Sequence, residues 1–268
     1  MEPIGLTIAV NRLHHRVWHW ASLGPALVVV HGITSWGRAW DFAIRHLHPE
    51  WNIYAVDLRG HGQSDKPERG YQIADYARDV VGVIEALGIT PTRLVGHSLG
   101  GAIGARVASL RPDLIERLVL VDPANRRWDG ERVRAAMEGF IARVRGTREG
   151  GVGFTRANNP HWTDEQVAAR VAAHQALCDQ VIHDVVENPD PRSFDDDLPA
   201  VTCPTLLLNG DSGYGGPSNY PGIVPPDREA QILALLKDGR AIVVPRAGHL
   251  VPWDNFEGFL IPLRLFLR

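Results

Sequence analysis

The stretch Gly96-His97-Ser98-Leu99-Gly100 sets a hydroxyl between two glycines, where the apolar run 93–97 gives way to the small-residue run 99–110. A strand that turns abruptly into a helix holds the residue at the turn in a strained conformation with its side chain projecting. Side chains two positions to either side would collide there, so glycine is used. The helix start beneath offers free N–H groups and a positive dipole end, which suit an anion forming beside the serine. The chemistry this arrangement fits is nucleophilic attack on an acyl carbon. A glycine-rich turn with a spectator serine has the same spacing, so the reading depends on partners elsewhere in the chain.

A serine hydroxyl is a poor nucleophile without a base. Twelve histidines compete for that role, and His249 in Arg246-Ala247-Gly248-His249-Leu250 stands out. It follows the last apolar run, in a glycine-containing loop before the closing helix, and in a parallel sheet that loop shares the carboxyl edge with Ser98. A loop histidine that merely caps a helix would occupy the same place. His14, His15 and His19 fall in an N-terminal strand pair and read as surface or packing residues. A third part comes from His31-Gly32, which opens a loop after a buried strand. Backbone N–H groups stabilise a developing oxyanion when one follows the nucleophile and another comes from such a loop, so Ile33 and Leu99 are the candidates. No histidines and carboxylates show strong metal-ligand spacing, and neither a metal nor a cofactor is expected.

The elements that must position these residues follow from periodicity. Runs 6–10 and 16–21 read as an antiparallel pair, and 26–32, 52–60, 93–97, 117–123, 204–210 and 241–245 as further strands. Between 73 and 88 the apolar positions Ala77, Val80, Val81, Ile84 and Leu87 have helical spacing, closed by Gly88. A second helix covers 99–110, and the chain closes on a helix that includes Pro262. Strands alternating with helices imply βαβ units, hence an α/β fold with a mostly parallel eight-stranded sheet flanked by helices.

The alternation breaks once, between 123 and 203, where no strand is evident. Val133, Met137, Phe140, Ile141 and Val144 share one helical face, and Thr163 with Gln166 opens a longer helical pattern through Val186 at capping-box spacing. The expected division is a core of 1–122 and 204–268 with a helical cap over 123–203. The polar, proline-rich stretch 187–199 reads as its return linker.

Composition narrows the partners. Hydrophobic residues make up 44% of the 268, enough for a sizeable core. The formal charge of −3 implies no strong field, so nucleic acid is not an expected partner. Cys178 and Cys203 are too few for a disulfide framework and are expected as reduced thiols. No apolar run approaches the ~20 residues of a membrane span, so no membrane association is expected. The N-terminal residues lack a basic region followed by a long apolar segment, which makes the cytoplasm the expected location.

In sequence order the motifs His31-Gly32, Asp57-Leu58-Arg59-Gly60-His61-Gly62-Gln63-Ser64, Gly96 to Gly101, Leu118 to Pro123, Pro204 to Asp211 and Ala247 to Phe259 resemble the α/β-hydrolase fold family over essentially the whole chain. The resemblance implies a serine hydrolase with a triad in the order Ser, acid, His and a helical cap over the site. Serine rather than aspartate at position 98 argues against the dehalogenases and epoxide hydrolases of this fold. The acid is where the sequence departs from the family pattern. It usually stands three residues after the glycine that ends the seventh strand, and that position here is Gly213. Asp211, close by, is preferred; Asp122, at the end of the sixth strand, competes, with Asp227 further behind.

The expected reaction is hydrolysis of an ester or lactone through an acyl-enzyme, with Trp36, Trp128 and Phe140, and also Trp40 and Trp162, as candidate pocket walls. The same triad in this family also cleaves carbon–carbon bonds, for which Arg126, Arg127 or Arg156 could hold the substrate. It serves amides and peroxy acids too, and some members are small-molecule receptors. The expected partner is a small-molecule ester or lactone, and the expected assembly a monomer or homodimer.

Overall fold

The computed structural model describes residues 2–125, 138–139, 142, 148–187, 190–214 and 221–268, and only the backbone of 185–187. Its centre is dictated by runs with no polar face. Val28, Val29 and Val30 are all buried in strand β3 (Ala26–Val30), as a strand covered on both faces requires. Strands β4 (Asn52–Val56) and β5 (Thr92–His97) pair with it in parallel on either side. Strands β6 (Ile115–Val121), β7 (Thr205–Gly210) and β8 (Gly239–Val244) continue the parallel order beyond β5. At the other end β2 (Leu13–Trp20) runs antiparallel to both β4 and β1 (Ile4–Val10). The eight strands lie in the order β1-β2-β4-β3-β5-β6-β7-β8.

The first hairpin is longer than its apolar runs, because pairing extends from Ile4 opposite His19 to a two-residue turn at Asn11-Arg12. Both turn residues have positive φ, as a tight hairpin matching the strand twist demands. Strand β4 is shorter than expected: it ends at Val56, so Asp57 to Gly60 belong to the carboxyl-edge loops.

Two apolar cores lie on the two faces of the sheet. One is covered by α2 (Ile73–Leu87) and α3 (Leu99–Leu110), the other by α1 (Asp41–Leu47) and the C-terminal helix. Helix α2 buries Ala77, Val80, Val83 and Ile84, starts on a Gln72–Asp75 capping box and stops at left-handed Gly88.

Between β6 and β7 the described chain is helical: α4 (Arg148–Asn158), α5 (Asp164–Ala176) and α6 (Asp179–Glu187). The Thr163–Gln166 capping box starts α5 as its spacing suggests. The continuous helix expected through Val186 is instead broken at Leu177-Cys178, where Leu177 is extended and the Cys178 N–H goes to the Gly60 carbonyl of the core at 2.8 Å. Leu177, Val181 and Ile182 thereby join one core, while Trp162 and Val167 join the other.

After β7, α7 (Pro226–Leu235) covers the first face. The closing helix is split into α8 (Val251–Asp254) and α9 (Phe256–Leu267). The split falls at Asn255, whose side chain leaves the helical role to accept from the Gly258 N–H at 3.0 Å. Pro262 is accommodated within α9. Among the described residues no helix is long and apolar enough to cross a membrane, and both cysteines are free thiols.

Candidate active site

Ser98 sits between β5 and α3 at φ 53° and ψ −116°, a region that side chains other than glycine rarely occupy. Neighbouring contacts enforce this conformation. The Ser98 N–H donates to the Val121 carbonyl at 3.0 Å, and its own carbonyl accepts from Gly101, Ala102 and Ala124. The two motif glycines have no room for a side chain: a Cβ on Gly96 would fall 2.1 Å from the Gly100 carbonyl oxygen, and one on Gly100 would fall 2.2 Å from that of Val30.

His249, in the loop after β8, brings Nε2 to 3.0 Å from Ser98 Oγ and Nδ1 to 2.6 Å from Asp122 Oδ2. A carboxylate only accepts, so Nδ1 carries the proton and the bare Nε2 faces the hydroxyl, the tautomer a base requires. Asp122 is fully buried, Ser98 nearly so, and the His249 side chain is 21% exposed. The carboxylate of Asp122 also accepts the backbone N–H of Gly210 at 3.3 Å and of Ile223 at 3.0 Å.

The carboxylate that meets His249 is therefore Asp122 and not Asp211, which the sequence spacing favours. Asp211 turns back on its own loop, where Oδ1 accepts the Gly213 N–H at 2.8 Å. The turn after β6 has left-handed backbone at Asp122, with φ 39°, and this directs that strand end under the imidazole. Asp227 lies in the first turn of α7.

The loop after β3 runs against Ser98: a Cβ on Gly32 would lie 3.2 Å from Ser98 Cβ. Three successive carbonyls of this loop are engaged. Gly32 O accepts from Ser35 N and faces His31 Nδ1, Ile33 O faces His61 Nε2 at 2.7 Å, and Thr34 O accepts from Arg170 of α5 at 3.0 Å. Asp57 braces the same loop by accepting the Gly37 and Gln63 N–H groups, although burial pushes its carboxyl up to about 6. Leu99 is the first residue of α3, so its N–H has no acceptor within the helix.

Several residues near the site carry weaker signals in the sequence. His97 is buried beside His249, with ring centroids 4.9 Å apart, and its Nε2 donates to the His249 carbonyl at 2.8 Å. Burial, reinforced by the neighbouring His249, lowers its pKa to about 3, so the ring is neutral. Asp254 accepts the N–H of Gly248 at 2.9 Å and meets His161 of the inserted segment at 3.2 Å. His97 lies inside the serine motif and Asp254 inside the histidine motif, and that adjacency is the only trace either leaves in the sequence.

Of the candidate wall residues, Trp36 packs edge-on against Trp18 of β2, Trp40 lies against His97 and Trp253, and Trp162 lies against Trp253. Trp128, Phe140, Arg126 and Arg127 lie outside the described residues. Arg156 is engaged by Asp164 and the Trp162 carbonyl. Among the described residues no group of His, Cys, Asp and Glu could hold a metal ion.

With strand order, elbow and relay in place, the comparisons with known proteins agree. The chain belongs to the α/β-hydrolase fold family, whose model matches residues 25–177. It is 31% identical to the N-formylmaleamate deformylase of Pseudomonas putida over 98% of this chain and 96% of that one. Among solved structures, the N-formylmaleamic acid deformylase of Pseudomonas putida S16 superposes with a TM-score of 0.82 at 26% identity, covering 97% of this chain and all of the other. An E-2-(acetamidomethylene)succinate hydrolase superposes at 0.78 with 25% identity, over 99% of both chains. Hydrolase chemistry is thus common to the full-length relatives.

Proposed function

We propose that the chain is a serine hydrolase acting through an acyl-enzyme, and that its substrate is a small N-acyl amide of a carboxylic acid. The observation that carries the first part is the unbroken contact from Ser98 Oγ through His249 to Asp122. Ser98 attacks the acyl carbon while His249 Nε2 takes its proton, and Asp122 offsets the imidazolium charge. The N–H groups of Ile33 and Leu99 receive the oxyanion. His249 then protonates the departing nitrogen, water enters, and the same base activates it to release the acid and restore Ser98. In this reading the inserted segment, helical over α4, α5 and α6, serves as the cap over the reacting groups.

The amide reading draws its support from three relatives matched over nearly their whole length, which are named for formyl or acetamido substrates. The ester or lactone reading rests on the same relay, and activated esters, with better leaving groups, are expected to turn over under either. The deciding experiment is a panel of N-formyl and N-acetyl amides of four-carbon acids beside matched esters and lactones. The amide reading expects the highest kcat/KM on an amide. An ester or lactone exceeding every amide would reverse the order. Ser98 should be labelled by a fluorophosphonate and Ser98→Ala should not; labelling without turnover of any substrate in the panel would leave a receptor of the same fold.

A further inference from the structure

The orienting carboxylate is held from behind. Asp122 Oδ2, which meets His249, also accepts the Ile223 N–H, so the position of residue 223 sets the direction of the carboxylate. Residue 223 is itself gripped at its other polar group: the side-chain amide of Asn125 donates to the Ile223 carbonyl at 3.2 Å. The same Nδ2 donates to the Pro123 carbonyl at 2.9 Å, directly after the acid. One amide group therefore ties the turn that carries Asp122 to the loop that feeds it an N–H.

The orientation of that amide is fixed in turn by Arg228 of α7, whose Nε donates to Asn125 Oδ1 at 3.0 Å while Nη2 donates to the Asn125 carbonyl at 2.9 Å. A guanidinium can only donate, so the amide must turn its oxygen to Arg228 and its two N–H bonds to the carbonyls. Asn125 and Arg228 are both buried, at 5% and 6% exposure, so water does not compete for these bonds. Asp195, in the linker returning from the inserted segment, pairs with Arg228 and compensates its charge.

We infer that Asn125 and Arg228 are positioning residues for the reaction, setting the Asp122 carboxylate, and through it His249, by way of the Ile223 backbone. This rests on the Ser98–His249–Asp122 reading above. The competing role is purely structural, a staple between the two ends of the inserted segment.

Asn125→Asp separates the two roles, because aspartate keeps the acceptor for Arg228 and loses both donations to the carbonyls. The readout is the second-order rate of Ser98 labelling by a small fluorophosphonate, which needs no known substrate, with the melting temperature measured alongside. Asn125→Asp and Asn125→Ala are expected to label about 10- to 100-fold more slowly than the native chain, the scale of a small misplacement of catalytic groups. In Asn125→Ala the acid limb of the rate–pH profile should also move to lower pH, as the imidazolium loses a well-placed counter-ion. Arg228→Lys keeps a charge for Asp195 without the paired donation. It should fall in the same direction, and it carries the test if the Asn125 variants do not fold. A native rate in Asn125→Asp with a lowered melting temperature would leave only the staple and overturn the inference. Failure of the native chain to label would overturn the hydrolase reading itself, and this inference with it.

Discussion

At the scale of single residues, the choice between two carboxylates is decided by geometry that spacing does not encode. Asp122 and Asp211 follow neighbouring strands, β6 and β7, which are paired in register from Leu118 opposite Thr205 to Val121 opposite Leu208. Both therefore start from the same sheet edge. What separates them is a left-handed turn at one and a local N–H acceptor role at the other, and neither has a residue-type signature. Ser98 and His249 were legible because each sits in a motif whose glycines and flanking strand dictate its place. His97 was legible only as a neighbour, since its bond to the His249 carbonyl spans 152 positions of sequence. Asp122→Asn would keep the shape of the acid but accept the wrong tautomer of His249, and kcat should fall by about 10³–10⁴. Asp211→Asn should stay within about threefold, since its amide oxygen can still accept the Gly213 N–H and that bond acts on the loop and not on the imidazole. Equal losses in the two variants, measured by steady-state kinetics, would return the assignment to open competition.

At the scale of elements, the α3 helix is held at its start and at its middle by different means. Its start is fixed by the lack of room at Gly96 and Gly100. Its middle is fixed by Arg106, only 4% exposed, whose Nε donates to Asp197 at 2.6 Å and whose Nη1 lies 3.3 Å from Asp190. Asp190 also accepts the N–H of Ala74 in the first turn of α2, so one arginine joins two core helices to the linker returning from the inserted segment. Burial raises the pKa of Asp197, and Arg106 opposes that rise. Arg106→Met removes the buried opposing charge and leaves the carboxylates of Asp190 and Asp197 with only the more exposed Arg192, 2.8 Å from Asp197, to offset them. The expected cost is about 3–5 kcal/mol, the scale for breaking a buried ion pair. For a chain of this size that is a fall in Tm of roughly 10 °C. The loss should shrink from pH 8 to pH 5, the direction in which a carboxyl raised by burial takes up its proton. A thermal melt unchanged at both pH values would show that the arginine is dispensable. The sequence pattern located α2, α3 and the β-strands by periodicity, but it missed α1, α4 and α7, which are short or glycine-containing and owe their form to what they pack on.

At the scale of the whole molecule, buried histidines make stability depend on pH. Burial lowers the pKa of His61 to about 4 and of His97 to about 3, and holds His31 well below the ordinary 6.5. The unfolded chain takes up these protons near 6.5, so their contribution is full above that pH and is lost as pH falls toward 4 and then 3. Asp57 opposes this: raised by burial from 3.8 to about 6, its contribution is full below 3.8 and is lost as pH rises through 6. Between pH 4 and 6 the large shifts are three histidines against one carboxyl, with a smaller fall at His15 set against smaller rises at Asp41, Asp197 and Asp254, so the unfolded state binds more protons and Tm should rise with pH. Each net proton is worth about 1.4 kcal/mol per pH unit. Thermal unfolding followed from pH 4.5 to 6.5 checks the sign, and a flat or falling curve would refute it. At this scale the sequence was most legible. The βαβ alternation fixes the order of the core, the single interruption marks the helical insertion, and three strand ends bring together residues as far apart as 98 and 249.

The acid's place after β6 has a consequence for how this protein can change over generations. Among the described residues, the end of β7 and the loop after it give Asp122 the backbone N–H groups of Gly210 and Ile223 and no side chain, and every residue type except proline supplies an N–H. Side chains at 211–214 are thus released from the duty that this loop carries in the usual family pattern. Drift there leaves the proton relay untouched, and new contacts to a different acyl donor can accumulate at the sheet edge without first dismantling the catalyst.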